Sequence, residues 1–172
     1  VGFFGVNEKP TSSKDPYALR RLALGIIRII IENKRDLKIN DLILYSTNLY
    51  LEQGFNFHNN KLQNDLTNFF KDRFKYYLKE KNIRYDIIEA SVNTFDLNKI
   101  SSLFGKAKSL NKIINKPIGD DIVSSYKRAS NILTSELKGD YNDYSNTTDP
   151  GIFKTEFEKN LYKKINELSK YF

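Results

Sequence analysis

Lys14-Asp15-Pro16-Tyr17-Ala18-Leu19-Arg20-Arg21-Leu22-Ala23-Leu24-Gly25-Ile26-Ile27-Arg28-Ile29-Ile30-Ile31 decides the fold class. Leu19, Leu22, Ala23, Ile26, Ile27 and Ile30 recur at helical spacing, and Leu24, Ile29 and Ile31 carry apolar character around the flanks. Only Arg21, Gly25, Arg28 and Glu32 form a polar stripe. Ser12, Ser13 and Asp15 are cap-type residues, and Pro16 suits a first helical position, where its missing N–H costs nothing. The expectation is one helix starting near Pro16, covered on most sides and therefore central.

Outward from this stretch, the chain reads as a series of further helices. Asp41 precedes a helix carrying Leu42, Ile43, Tyr45, Leu49 and Tyr50, which stops at Gly54. Residues 61–81 place Leu62, Leu66, Phe69, Phe70, Phe74 and Tyr77 on one face, with Arg73 among them. A short helix over 85–91 follows, with a break at Asn93-Thr94. Residues 97–116 bury Ile100, Leu103, Phe104, Ala107, Leu110 and Ile114, and Pro117-Ile118-Gly119 is expected to end them. Asp120 or Asp121 then caps a helix whose inner face is Ile122, Tyr126, Ala129, Leu133 and Leu137, with Ser124, Lys127, Arg128 and Asn131 outward. A polar loop spans 139–151. The last helix carries Phe153, Phe157, Leu161, Ile165, Leu168 and Phe172, and that apolar face is expected to be partly uncovered. No alternating strand pattern of useful length and no repeat appears, so the expected fold is an all-α helical bundle.

Composition narrows the function classes. The chain has 172 residues, with 11 Tyr and 12 Phe for core material. It contains no Met and is expected to be an internal piece of a longer protein. With no Cys it offers no disulfide, no thiolate nucleophile and no Cys-ligated zinc. No apolar run nears the roughly 20 residues of a membrane span. The single His, His58, sits between Phe57 and Asn59 with no second His at metal spacing. A His/Asp metal cluster for hydrolysis therefore cannot be assembled, and an incidental polar role is expected for it. Asp120-Asp121 are read as caps rather than paired catalytic acids, and no phosphate-cradling Gly-rich loop occurs.

Net charge is +7. Residues 1–40 carry +4, residues 41–91 balance, residues 92–139 carry +4 and residues 140–172 carry −1. Two basic segments favour an anionic partner such as RNA over mere solubility only weakly. Lys108, Lys112 and Lys116 fall four apart, a spacing that tracks phosphates or simply faces solvent. Lys127, Arg128 and Asn131 lie within one turn, and Arg and Asn both read base edges. Arg73 is expected to be a structural charge, its stem among aromatics and its guanidinium meeting helix-end carbonyls or an acid, for which Asp86 and Glu89 are the nearest candidates. Arg20, flanking the apolar face, is likewise expected to pair inside the fold, whereas Arg21 and Arg28 are open to a partner outside it.

Gly5-Val6-Asn7-Glu8-Lys9-Pro10-Thr11-Ser12-Ser13-Lys14-Asp15-Pro16-Tyr17-Ala18-Leu19-Arg20-Arg21 resembles the "G-x-x-x-K-P-T-x-x-K-D-P-[FY]-A-L-R-R" signature of the bacterial glycyl-tRNA synthetase beta subunit family. Phe69-Phe70-Lys71-Asp72-Arg73-Phe74 and Asp86-Ile87-Ile88-Glu89-Ala90 are similar to the family's "F-x-x-D-R" helix and its "D-[VI]-I-x-A" follow-on. Lys127-Arg128-Ala129-Ser130-Asn131-Ile132-Leu133 is similar to its "K-R-x-x-N-I-L" helix. The resemblance covers Val1 to about Leu168. It implies that residues 1–94 are the end of an HD-like helical region and its connection. Residues 95–172 would then begin an anticodon-binding helical domain of DALR type, truncated here.

The implied function is tRNA binding within a ligase that attaches glycine to its tRNA. The implied partners are tRNA with a glycine anticodon and the alpha subunit, with no membrane, in the cytoplasm. ATP and magnesium are implied for the whole enzyme, and neither a cofactor nor catalysis is expected in this piece. The resemblance also raises the standing of Lys127, Arg128 and Asn131 as RNA-binding residues. The alternative is a non-catalytic module that holds subunits together without touching RNA.

Overall fold

The computed structural model describes residues 1–35, 37–137 and 148–171. Among them all regular structure is α-helix or 3-10 helix, as the periodicity requires. The helices are α1 (Gly2–Gly5), α2 (Leu19–Glu32), α3 (Ile39–Glu52), α4 (Leu62–Glu80), α5 (Tyr85–Asn93), α6 (Ile100–Ile114), α7 (Pro117–Leu137) and α8 (Glu156–Leu168). Two compact units result, one over Val1–Val123 and one from Ser124 onward. The expected division at 94–95 falls inside the first unit, between α5 and a 3-10 turn at Leu97–Lys99.

The first unit is built around α4 rather than α2. α4 packs against α1, α2 and α5, while α6 packs against α2 and α5. Phe74 and Leu78 of α4 are completely buried, and Tyr77 is 1% exposed. Removing side chains of this size from water contributes about 1.5–3 kcal/mol each. α2 presents Ala23, Ile27, Ile30 and Ile31 to this core but leaves Leu22, Ile26 and Ile29 exposed. The expectation of a helix covered on most sides is corrected accordingly. α3 likewise buries Ile39 and Ile43 while exposing Leu42, Tyr45 and Leu49.

The start of α2 also differs from the expectation. Residues 15–18 form a turn closed by the Ala18 N–H donating to the Asp15 carbonyl at 3.0 Å, with Ala18 at φ 54°. Asp15 caps from outside the helix: its carboxylate accepts from the N–H groups of Leu19 (2.8 Å) and Arg20 (3.1 Å). Two orphan donors are thereby satisfied, and a carboxylate sits at the positive end of the helix dipole.

α6 ends at Ile114, and α7 begins at Pro117 with almost no linker. Pro117 therefore opens α7 instead of closing α6, and Asp120 lies within the first turn of α7 rather than capping it. The turn is tight enough that a Cβ on Gly119 would lie 2.5 Å from the Ile114 Cα and 2.6 Å from its carbonyl oxygen. Only a residue without a side chain fits there.

Among its described residues the second unit has helices without a core. None of its described residues is buried. Tyr126 and Leu133 of α7, expected inward, are exposed, as is Ile122 just before the boundary. In α8, Phe157, Leu161, Ile165 and Leu168 are exposed, which agrees with the expected uncovered face. Phe153 packs against Tyr162 with ring centroids 5.4 Å apart. α8 starts at a complete capping box: the Thr155 hydroxyl accepts from the Glu158 N–H, and the Glu158 carboxylate accepts from the Thr155 N–H at 2.7 Å. Most of the expected polar loop over 139–151, the Leu137 side chain and Phe172 lie outside the described residues.

Candidate nucleic-acid interface

The signature at the start of the chain is anchored to α4. The Lys9 ammonium meets the Asp65 carboxylate at 2.5 Å, and the Asn59 amide donates to the same carboxylate at 2.8 Å and to the Phe4 carbonyl at 3.0 Å. The Lys9 contact, with the Asn59 bond beside it, holds the Asp65 carboxyl below the usual carboxylate range. Arg20 donates to the Thr11 carbonyl, so its charge closes the loop before α2. Arg28 reaches Glu80 of α4 at 3.0 Å, so it pairs inside the unit instead of standing free. Arg21 is exposed.

Arg73 does not meet the acids expected for it. Asp86 is gripped by Arg84 through two hydrogen bonds of 2.9 and 2.5 Å. Glu89 pairs through Oε1 with Lys75 of α4. That contact lowers the Glu89 carboxyl and raises the Lys75 ammonium relative to their ordinary values. The Arg73 Nε is buried and without a hydrogen-bond partner among the described residues. The side chain is half-buried and lines a depression of about 230 Å³ with Asp72, Lys75, Tyr76 and Lys79.

Lys108 and Lys112 are exposed on α6, and Lys116 is exposed in the turn just beyond it, one step outside the helix that was expected to carry all three. Lys127, Arg128 and Asn131 are exposed on α7. Their neighbours on that helix are exposed too, so exposure alone does not single them out. Lys108 has a further position. It lines a cleft of about 790 Å³ where the C-terminal ends of α2 and α4 meet α6. None of the other residues expected to contact RNA lines it. His58 is exposed in the loop before α4, and its N–H donates to the Gly5 carbonyl at 2.9 Å.

The family model described as glycyl-tRNA synthetase beta subunit matches residues 1–93. The chain is 41% identical over 170 residues to a glycine–tRNA ligase beta subunit of Rickettsia akari (strain Hartford), covering 98% of this chain and 23% of that protein. The chain belongs to the glycyl-tRNA synthetase beta subunit family. Similar relatives are the beta subunits of Cereibacter sphaeroides (strain ATCC 17023), 35% identical over 96% of this chain and 24% of that protein, and of Rickettsia bellii (strain OSU 85-389), 39% identical over 98% and 23%. The chain thus spans about a quarter of the length of these relatives.

Family membership makes the Lys9, Asp15 and Arg20 contacts intelligible. These three residues, all within the matched span, tie the entry loop to α2 and α4, and each has a described partner. Among the described residues no three His, Cys, Asp or Glu side chains come together that could hold a metal ion. No helix among them is long and apolar enough to cross a membrane.

Proposed function

We propose that the chain is a tRNA-binding part of a glycyl-tRNA synthetase beta subunit, supporting ATP-dependent attachment of glycine to its tRNA by an alpha/beta enzyme in the cytoplasm. Family membership across nearly the whole chain is the observation that carries this reading. The exposed cations of α6 and α7 agree with it. Lys108, Lys112, Lys116, Lys127 and Arg128 make no described ion pair, so their charge is open to phosphate. Asn131 beside Arg128 adds a group able to read a base edge. In the same proposal residues 1–94 close an HD-like region and residues 95–172 open an anticodon-binding domain. Contact at a distance from the chemistry acts by orienting the acceptor end and by rejecting wrong tRNAs. ATP and magnesium would serve the whole enzyme.

The test is a titration of the chain with tRNA carrying a glycine anticodon and with the same tRNA altered at the anticodon, at low and raised salt. Affinity that falls with salt and is higher for the glycine anticodon supports the reading, and salt-independent or absent binding overturns it.

A second reading, a module that holds subunits together without RNA contact, is favoured by the exposed Leu22, Ile26 and Ile29 on α2. It expects stable association with the alpha subunit and no salt-dependent tRNA binding.

A further inference from the structure

The cleft at the ends of α2 and α4 is built unlike the rest of the surface. Its wall is apolar and aromatic: Ile31, Ile83, Tyr77 and Phe104. Around it stand Lys34, Lys81 and Lys108, none of which makes a described ion pair. Two of these ammonium groups hang over the aromatic wall, Lys81 at 5.2 Å from the Tyr77 ring centroid and Lys108 at 6.0 Å from that of Phe104. The hydroxyls of Ser101 and Ser102 border the same space without hydrogen-bond partners among the described residues. At about 790 Å³ the cleft lies within the range of small-ligand sites.

Two further observations point to an occupant. Lys34 holds φ 49° in the turn after α2, a left-handed position that suits glycine and strains a lysine. Gly105 sits within α6 at a position where a Cβ would meet no atom within 4 Å. Neither a close contact nor a positive φ requires a glycine there, and glycine weakens a helix interior. Its bare backbone borders the cleft.

We propose that this cleft holds one unpaired nucleotide of a bound RNA, the base against Phe104 and its apolar neighbours and the phosphate against Lys34, Lys81 and Lys108. Stacking on an aromatic face beside cations is how single-stranded nucleic acid is held. Glu32, on the same wall, accepts from a ribose hydroxyl or a base amino group, donors that a bare phosphate lacks. The inference rests on the tRNA-binding reading and adds to it a place in the first unit, built from residues other than the anticodon candidates of α7.

The test uses the whole 172-residue chain, fluorescently labelled tRNA with a glycine anticodon, and GMP as a free nucleotide. Gly105→Leu fills the cleft from a position with room for it. It is expected to weaken tRNA binding about tenfold while the melting temperature does not fall. The surface pair Lys34→Ala and Lys81→Ala, which carries no folding risk from bulk, is expected to weaken binding and to reduce the salt slope by about 1.4, the single-strand value for two cations. If the parent binds tRNA and both variants bind it equally well, the cleft inference falls while the tRNA reading stands. If the parent binds no tRNA at low salt, the tRNA reading falls and RNA as occupant falls with it. If Gly105→Leu abolishes GMP binding but leaves tRNA binding intact, the cleft serves a free nucleotide and the proposal is overturned.

Discussion

α4 and α8 carry the same kind of sequence signal and end in different circumstances. Both repeat large apolar residues every three or four positions. In α4 that stripe becomes the centre of a core, with Phe74 and Leu78 completely buried. In α8 it faces outward, and Phe157 is 88% exposed. A helical period states that one face is apolar; it does not state what covers that face. In the first unit, helices α1, α2 and α5 cover it. In the second, none of the described residues is buried.

The comparison predicts its largest effect for truncation. Phe74→Ala or Leu78→Ala leaves a cavity in a closed core and is expected to cost about 3–5 kcal/mol. Phe157→Ala, the same chemistry on an exposed face, is expected to change stability by no more than about 0.5 kcal/mol. Denaturant unfolding of the three variants checks this. Equal losses at Phe74 and Phe157 would show that α8 is covered in solution.

The next effect comes from the backbone. Gly119→Ala sets a methyl group against Ile114 at the α6–α7 turn, where the obstruction is main chain and cannot rotate away. Overpacking of this kind is expected to cost about 1–3 kcal/mol. Gly105→Ala, also in a helix, meets nothing and is expected to raise stability by about 1 kcal/mol. A thermal melt in which both glycines respond alike would break the distinction.

Caps sharpen the comparison at a smaller scale. Without a core, α8 depends more on its own ends. Thr155→Ala removes half of the capping box and is expected to cost about 1 kcal/mol of local helix stability. Amide exchange should speed up along α8 and stay unchanged in α4.

Acid should act on both units, since in α8 the Thr155 N–H and hydroxyl hold the Glu158 carboxyl, and Lys164 the Glu167 carboxyl, below the usual carboxylate range. Asp65, Asp86 and Glu89 are each held below the usual carboxylate range by Lys9, Arg84 and Lys75. A carboxyl depressed in the folded state stabilises the fold at pH above its unfolded value, and that contribution is lost as pH falls through the folded value. Stability of the first unit should therefore decline below about pH 4, the unfolded carboxylate range. Lys75, raised by Glu89, loses its contribution only at strongly alkaline pH. In 1 M salt the acid effect should shrink, since all three pairs are partly open to solvent.

Much of this was legible in the sequence where a local signal has one meaning. The span of α4, read as 61–81, lies within one residue of Leu62–Glu80 at either end. Asp15 was legible as a cap, yet it acts across a turn with Ala18 at positive φ, and α2 starts at Leu19 instead of Pro16. Pro117 carries two meanings, since proline both stops one helix and opens another. The sequence alone does not choose between them when the helices nearly abut. Of the candidate site, the exposed lysines of α6 and α7 were legible from spacing. The cleft was not, because Lys34, Lys81 and Phe104 are brought together by three helices and share no local pattern.

The smallest expected effect is the most instructive. In sequence, Arg73 sits mid-stripe on α4 and calls for a buried acid; had Asp86 or Glu89 met it, removing the arginine would strand a charge at about 3–5 kcal/mol. Both acids are held by other cations, and Nε is buried without a hydrogen-bond partner. Asp72 shares the depression, but no ion pair to Arg73 is described, so no bound counter-charge is stranded when the arginine is removed. Arg73→Met keeps most of the stem volume among the aromatics and removes an unsatisfied donor, a replacement that is nearly neutral or slightly stabilising. The expected change is within about 0.5 kcal/mol of the parent. Arg73→Ala should cost more than Arg73→Met, because it also removes the half-buried stem. The ordering of the three melting temperatures is the readout. If Arg73→Met melts many degrees below the parent, the guanidinium has an acid partner in solution, and the pairing of Asp86 with Arg84 and of Glu89 with Lys75 must give way to it.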